Sequence, residues 1–411
     1  MDYISAAQAA KKWGVSVQRV QLLCKQERVN GVVRFGHTYL IPQDAEKPKD
    51  ARIKSGKYIE LKNKTEDGDK RQMRYLGSKA KAINFIRETV EKTYGDMKDA
   101  TVADLFAGTV VVAEMFKLYG AQVITNDYMS FSYARQIAKI KLNNEPQCEI
   151  SYHDAIERLN NIKGEKGFFY KEYTLEGTKE GVYQRNYFSP ENAMRIDAMR
   201  KCIGEWKNKS KIDEDMFYLL CSDLGNAVAC VSNISGTYGA FLKKDDPRKF
   251  KPIELIPIDF IDNGKQNECH KKDIFEIIDD VEGDILYLDP PYNSRQYPPY
   301  YHILETVTDY DAPQIYGITG RRPYQDKLSP FCMKDKAFFA LLDIIKRAKF
   351  RHIYVSYNTD GIIDYKQFGK ALEQFADVTL FSKPFRRYKS NSNGNNKGNL
   401  KEIIIYAEKR T

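Results

Sequence analysis

"ATVADLFAGTVVVAEMFKLYG", Ala100 to Gly120, reads as an apolar strand, a tight turn at Phe106-Ala107-Gly108-Thr109 and an amphipathic helix. In open α/β sheets a ligand sits at the carboxyl ends of the strands, where a glycine turn lets backbone approach it and a helix N-terminus offers free N–H groups. One glycine is weak evidence. The next run, "AQVITNDY", ends in Asp127, and an acid at a strand tip is placed to accept hydrogen bonds from the two hydroxyls of a ribose. Taken alone, these residues fit equally well a βαβ core with an incidental solvated acid. Further along, "DILYLDPP" and "HIYVSYN" repeat the strand-like pattern with helical stretches between them, which predicts a mostly parallel α/β sheet from about residue 72 to the end.

The chain has 411 residues, 42% hydrophobic and 29% charged, enough to bury a sizeable core and make two or three domains. The apolar runs are shorter than a membrane span, and "MDYISAAQAAKKWG" carries charge where a signal peptide has its apolar centre. The cytoplasm is the expected compartment. Seven scattered cysteines without a C-x-x-C pair, and five histidines without ligand spacing, predict neither a disulfide framework nor a metal centre. The net charge of +9 leans toward a polyanionic partner, though lysine-rich soluble surfaces share it.

Residues 1–42 form a candidate unit of their own. Ser5 can cap a first helix whose Ala6, Ala9, Ala10 and Trp13 share a face; Gly14 breaks it and Ser16 can cap a second. Val32 to Ile41 then alternates about Arg34-Phe35-Gly36-His37 as a hairpin does. This resembles the winged helix-turn-helix of excisionase and MerR-type DNA-binding domains. The resemblance implies Gln18, Arg19, Gln21 and Lys25 on a recognition helix, with Arg34 and His37 in the wing. A small helical protein-interaction module is the alternative. Residues 43–71 are charged and poor in large apolar side chains, as in a linker, and 151–270 reads as an insertion with its own folding.

"ILYLDPPYNSRQY", Ile285 to Tyr297, ends an apolar run in a way that a strand does not need, because neither proline donates to a ladder. Asp289 and the Pro290 carbonyl, stiffened by Pro290 and Pro291, can accept the two N–H bonds of an exocyclic amine. Tyr292 can stack on the ring of a base rotated out of a helix. An adenine amine is a poor nucleophile, so orienting its lone pair toward an activated methyl group is most of the task. No covalent cysteine intermediate is required.

These motifs together resemble the D12 class of DNA adenine-N6 methyltransferases, the Dam-like, alpha-ordered group, from about Met73 to the C-terminus. The matching segments are "MRYLGSKAKAINFI", "DLFAGT", Asp127, "HKKDIFEII", DPPY, "YVSYN" and "FRRYKSNSNGNNKGNLKEIIIYA". "VSNISGTYGAFLKKD" and "RNYFSPENAMRID" resemble insertion segments that carry target recognition. The resemblance implies a Rossmann-like S-adenosyl-L-methionine-dependent methyltransferase sheet (72–150 and 271–411) interrupted by a target-recognition domain (151–270) and preceded by the winged helix-turn-helix. It also implies Tyr75, Lys79, Asp104, Phe106, Gly108, Asp127 and Asp273 at the cofactor, and Asp289, Pro290, Pro291 and Tyr292 as the catalytic set. Duplex DNA is the implied substrate, with a cognate restriction endonuclease as a conceivable partner and no metal.

The family's cofactor loop usually reads F-x-G-x-G, and here the second glycine is Val110. A valine is expected either to crowd the methionine end of the cofactor or to force another backbone conformation, because β-branched residues tolerate positive φ badly. Two loops have the lysine and aromatic mixture that suits DNA contact: Tyr238, Lys243 and Lys244 in one, Arg386, Arg387 and Lys389 in the other. Solvated loops look alike. Three rival functions stay open: N4-cytosine methylation, an RNA adenine or protein amide target, and a DNA-binding regulator whose methyltransferase domain has decayed.

Overall fold

A computed structural model describes residues 3–13, 15, 17–25, 29–35, 38–45, 79–384 and 400–410. The chain divides into two compact units, Met1–Tyr58 and Ile59–Thr411. The first holds β1 (Tyr3–Ser5), α1 (Ala6–Trp13), α2 (Val17–Lys25), β2 (Val33–Phe35) and β3 (Thr38–Pro42). Ser5 caps α1 as expected, and reciprocally: its Oγ accepts from Gln8 N at 3.3 Å while Gln8 Oε1 accepts from Ser5 N at 2.8 Å. Ala6, Ala9, Ala10 and Trp13 are buried with Val20, Leu23, Cys24, Val29 and Ile41. The expected β2–β3 hairpin forms, and β1 adds a third antiparallel strand on the far side of β3. Gly14, Ser16, Gly36 and His37 lie outside the described residues.

In the second unit one sheet of seven strands runs β6-β5-β4-β7-β8-β10-β9. Its strands are β4 (Thr101–Asp104), β5 (Gln122–Asn126), β6 (Glu268–His270), β7 (Glu282–Leu288), β8 (Lys349–Asn358), β9 (Ala376–Pro384) and β10 (Lys401–Lys409). The first five are parallel; β10 runs antiparallel between β8 and β9. From β4 the chain moves outward to β5 and β6, then returns to lay β7 on the other side of β4. That reversal is a topological switch point, where the loops after β4 and β7 part and leave a crevice.

The alternation of each strand assigns its faces. Leu286, Leu288, Ile353, Val355 and Ile405 face one side, packed with α10 (Ile274–Asp280), α12 (Ala337–Arg347) and α13 (Tyr365–Leu372). On the other side Tyr287 meets Phe116 of α4 (Val111–Leu118), rings 6.5 Å apart, and Tyr354 hydrogen-bonds Thr93 of α3 (Ile83–Thr93) at 2.6 Å. The stretch 151–270 contributes α6 (Tyr152–Asn160), α7 (Phe168–Tyr173), α8 (Pro190–Asn208) and α9 (Glu214–Val231). Their Phe169, Ile196 and Leu220 share one core with Phe131 of α5 (Ser130–Gln136) and Leu304 of α11 (Pro298–Asp309). The last three residues of that stretch are strand β6, so the sheet resumes slightly before the expected boundary at 271. Among the described residues no helix is long and apolar enough to cross a membrane.

Candidate active site

The turn after β4 is held by the acid at the tip of β5. Gly108 takes φ 50°, a left-handed conformation that costs glycine little. Its N–H donates to Asp127 Oδ2 at 2.9 Å, while Asp127 Oδ1 accepts from Met129 N at 2.9 Å. Burial pushes the Asp127 carboxyl up, and these two N–H groups pull it back. Each oxygen retains a lone pair for a further donor.

Val110 corrects the sequence expectation. It takes φ 58° and ψ 16°, a left-handed conformation that β-branched residues seldom adopt, as the residue preceding α4. Its N–H still donates to Ala107 O at 2.7 Å and its carbonyl accepts from Glu114 N at 2.7 Å. The side chain is fully buried and does not line the crevice. Thus the valine side chain stays out of the cavity lining, and the loop carries about 1–2 kcal/mol of backbone strain.

The loop after β7 supplies the other wall. Asp289 leaves the sheet next to Asp104, and the following Pro290 is buried with Tyr292 beside it. Lys79, on a one-turn 3-10 helix at Lys79–Lys81, places its Nζ 3.1 Å from Asp289 Oδ1, 2.5 Å from Glu402 Oε1 and 5.7 Å from the centre of the Tyr292 ring. Burial alone would lower the Lys79 ammonium, but the two carboxylates outweigh it and hold it above the ordinary lysine range. Burial raises Asp289 to about 6, with Lys79 pulling down and Glu402 pushing up.

Asp289, Lys79, Asp104, Phe106, Gly108, Asp127, Asp273 and Pro291 all line one cavity of ≈ 180 Å³. Tyr292 stands behind it, against Tyr357 with rings 6.5 Å apart. Asp273 is exposed and caps α10, accepting from Phe275 N at 2.8 Å. Tyr75 lies outside the described residues.

Sequence reasoning missed several residues here. Phe275 and Phe331 stack at 5.8 Å with Phe106 edge-on to Phe331 at 5.1 Å, forming an aromatic slot. Phe275 was legible as the next aromatic after Asp273; Phe331 comes from a one-turn 3-10 helix, Pro330–Cys332, with no motif. Glu402 is the lone acid opening the apolar run of β10, a signal that was available. Glu305 of α11 is buried and accepts from Ser130 N (3.1 Å), Phe131 N (3.2 Å) and Lys327 Nζ (2.7 Å), pinning the start of α5 just after Asp127.

The predicted DNA contacts divide. Lys243 and Lys244 are exposed, as are Gln21 on α2 and Arg34 on β2; Gln18, Arg19 and Lys25 also lie on α2. Tyr238 does not reach the surface. It is 2% exposed, its OH 3.0 Å from Ser232 Oγ and its carbonyl accepting from Tyr187 OH at 2.7 Å, so its aromatic ring serves the core. His37, Arg386, Arg387 and Lys389 lie outside the described residues.

The residues suit S-adenosyl-L-methionine. Asp104 Oδ1 is buried without a hydrogen-bond partner among the described residues, although it borders the cavity, and so calls for a donor such as an ammonium. Burial, then Asp289, raise its carboxyl well above the usual range. Asp127 suits ribose hydroxyls and the aromatic slot a purine.

The family model of the D12 class N6 adenine-specific DNA methyltransferase matches residues 75–369. The Type II methyltransferase M.FokI of Planomicrobium okeanokoites is 39% identical over 344 residues, 82% of this chain and 53% of that one. The modification methylase StsI of Streptococcus sanguinis is 35% identical, covering 82% and 52%. The chain spans about half the length of these two. The Type II methyltransferase M.NlaIII of Neisseria lactamica is 35% identical over 332 residues, 80% of this chain and 96% of that one. With the crevice, the aspartate at the end of β7 and these likenesses in hand, the chain belongs to the D12 class of N6 adenine-specific DNA methyltransferases.

Proposed function

We propose that the protein methylates N6 of an adenine flipped out of duplex DNA, using S-adenosyl-L-methionine. The observation that carries this reading is the position of Asp289 at the tip of β7, in one cavity with the Gly108 turn and Asp127. Asp104, Asp127, Phe106, Phe275 and Phe331 would hold the cofactor, whose bound sulfonium supplies an electrophilic methyl group. Asp289 and the Pro290 carbonyl accept the two N–H bonds of the target amine, which draws its lone pair out of the ring. Tyr292 offers the base a face to stack on. Lys79 faces Asp289 Oδ1 at 3.1 Å as an ion pair without occupying it by a hydrogen bond, and Oδ2 is the oxygen proposed for the amine. That oxygen can also take the proton the amine sheds and pass it to water.

The exposed Lys243 and Lys244, with the N-terminal unit, are the proposed duplex contacts, and 151–270 the region that reads sequence. The curated relatives are named as Type II methyltransferases and modification methylases, which supports a place in restriction and modification beside a cognate endonuclease. The cytoplasm is the compartment this reading assigns. The decayed-enzyme reading rested on Val110, and the valine side chain lies outside the cavity lining.

The test is to incubate unmethylated duplex DNA with the protein and S-adenosyl-L-methionine, digest to nucleosides and measure products by mass spectrometry. N6-methyladenine supports the proposal; N4-methylcytosine alone, or transfer only to RNA, refutes it.

A further inference from the structure

Glu402 has no part in the mechanism above, yet it is the tighter partner of the lysine that touches the catalytic carboxylate. Lys79 Nζ is 2.5 Å from Glu402 Oε1 and 3.1 Å from Asp289 Oδ1, and all three side chains are at most 16% exposed. Glu402 cannot follow the lysine elsewhere. It sits on β10, paired to Asn358 on β8 and Lys383 on β9, and Ser356 Oγ donates to the same Oε1 at 2.9 Å. A lysine on a flexible stem between two buried carboxylates settles where attraction is strongest, and the anchored one holds it here.

We propose that Glu402 is a positioning residue that holds Lys79 back from full engagement with Asp289, leaving that carboxylate an open oxygen for the target amine. The inference rests on the methyl-transfer reading for its purpose, but its geometry is a property of the unliganded chain. Without Glu402, Asp289 becomes the sole anchored counter-charge within reach of Lys79 among the described residues. The target amine would then have to displace a buried ion pair, which is costly to break.

The groups facing Asp289 are Lys79 from the 3-10 turn, Glu402 from β10, Asp104 from β4, Tyr287 from β7 and Tyr297 from the segment before α11. Lys79 is the cation among them. Removing the charge of Glu402 therefore lowers the Asp289 midpoint in two ways, by ending its direct repulsion and by letting Lys79 close in. Removing Lys79 leaves Asp289 buried beside a second carboxylate and raises it.

The experiment is a carbon-13 NMR titration of aspartate carboxyls in the unliganded full-length protein, with Asp289 assigned by Asp289→Asn. Glu402→Gln, which keeps an acceptor for Ser356, is expected to move the midpoint down by on the order of one unit. Lys79→Met is expected to move it up by a similar amount, and Glu402→Asp to fall between Glu402→Gln and the unaltered protein. In parallel, Glu402→Gln should slow methyl transfer about tenfold or more and shift the acid limb of its pH profile the same way. A midpoint that stays put or rises in Glu402→Gln, or that falls no further than the same change lowers it in the Lys79→Met background, overturns the proposal. If the midpoints separate as expected in a protein that methylates no base, the positioning role stands and the methyltransferase reading fails. If transfer proceeds while Glu402→Gln leaves both the midpoint and the acid limb unmoved, the reverse holds.

Discussion

Asp127 and Gly108 are joined by a 2.9 Å hydrogen bond from the glycine N–H to the carboxylate, so the tip of β5 and the turn after β4 form one piece. Asp127→Ala should therefore do two things. It removes the proposed acceptor for the ribose and releases the turn, and is expected to weaken S-adenosyl-L-methionine binding by roughly 1.5–3 kcal/mol, the worth of hydrogen bonds to a charged group. Calorimetry checks this, and an affinity within about twofold of the unaltered protein would contradict it.

Methyl transfer should fall on the acid side with a midpoint near the Asp289 value of about 6. The sign follows from the role: the amine needs an ionised acceptor, so activity rises as pH climbs through that value. For stability the sign is opposite. A buried acid raised above its unfolded value of about 3.9 favours the folded state most below that value, and the benefit is lost as pH rises through 6. A pH profile of kcat/KM reports the free enzyme; a flat profile from pH 5 to 8 would sink the assignment.

Val110→Gly should leave cofactor affinity nearly unchanged, because the valine side chain is buried away from the cavity. Loss of its buried surface and the added chain entropy of glycine together cost about 2–4 kcal/mol. Relief of the φ 58° strain returns about 1–2. A net loss of about 0–3 kcal/mol in denaturant unfolding is expected. A marked gain in affinity would mean that the valine does obstruct the ligand.

Glu305→Ala should destabilise the fold by about 3 kcal/mol or more, because it removes the buried acceptor that Ser130 N, Phe131 N and Lys327 Nζ share. Lys327→Met should cost less, since Glu305 keeps its backbone donors. Urea unfolding of the two variants orders them; equal losses would contradict the pinning role of Glu305.

Much of this was legible because chemistry at strand tips is written locally. Gly108, Asp127 and Asp289 each stand where an apolar run ends, and each borders the crevice. What escaped depends on distance along the chain. Lys79 and Glu402 meet across 323 positions, and Phe331 reaches the aromatic slot from a 3-10 turn whose sequence marks nothing. The antiparallel β10 between β8 and β9 is invisible in an apolar pattern that reads the same in either direction. Tyr238 failed for another reason: lysine and aromatic residues alternating on a loop do not reveal which way a ring turns, and the core claimed it. At Val110 the propensity rule was sound but lost to its surroundings, since the turn is fixed by the Ala107 and Glu114 hydrogen bonds and by the burial of the side chain.

The central claim is that Asp289 at the end of β7 orients the adenine amine. Its most direct test is single-turnover methyl transfer to duplex DNA by Asp289→Ala, with S-adenosyl-L-methionine binding measured on the same protein. The account predicts a rate lower by about a thousandfold or more, with cofactor affinity little changed, because the carboxylate orients the amine rather than holding the cofactor. Transfer within about tenfold of the unaltered rate would contradict it.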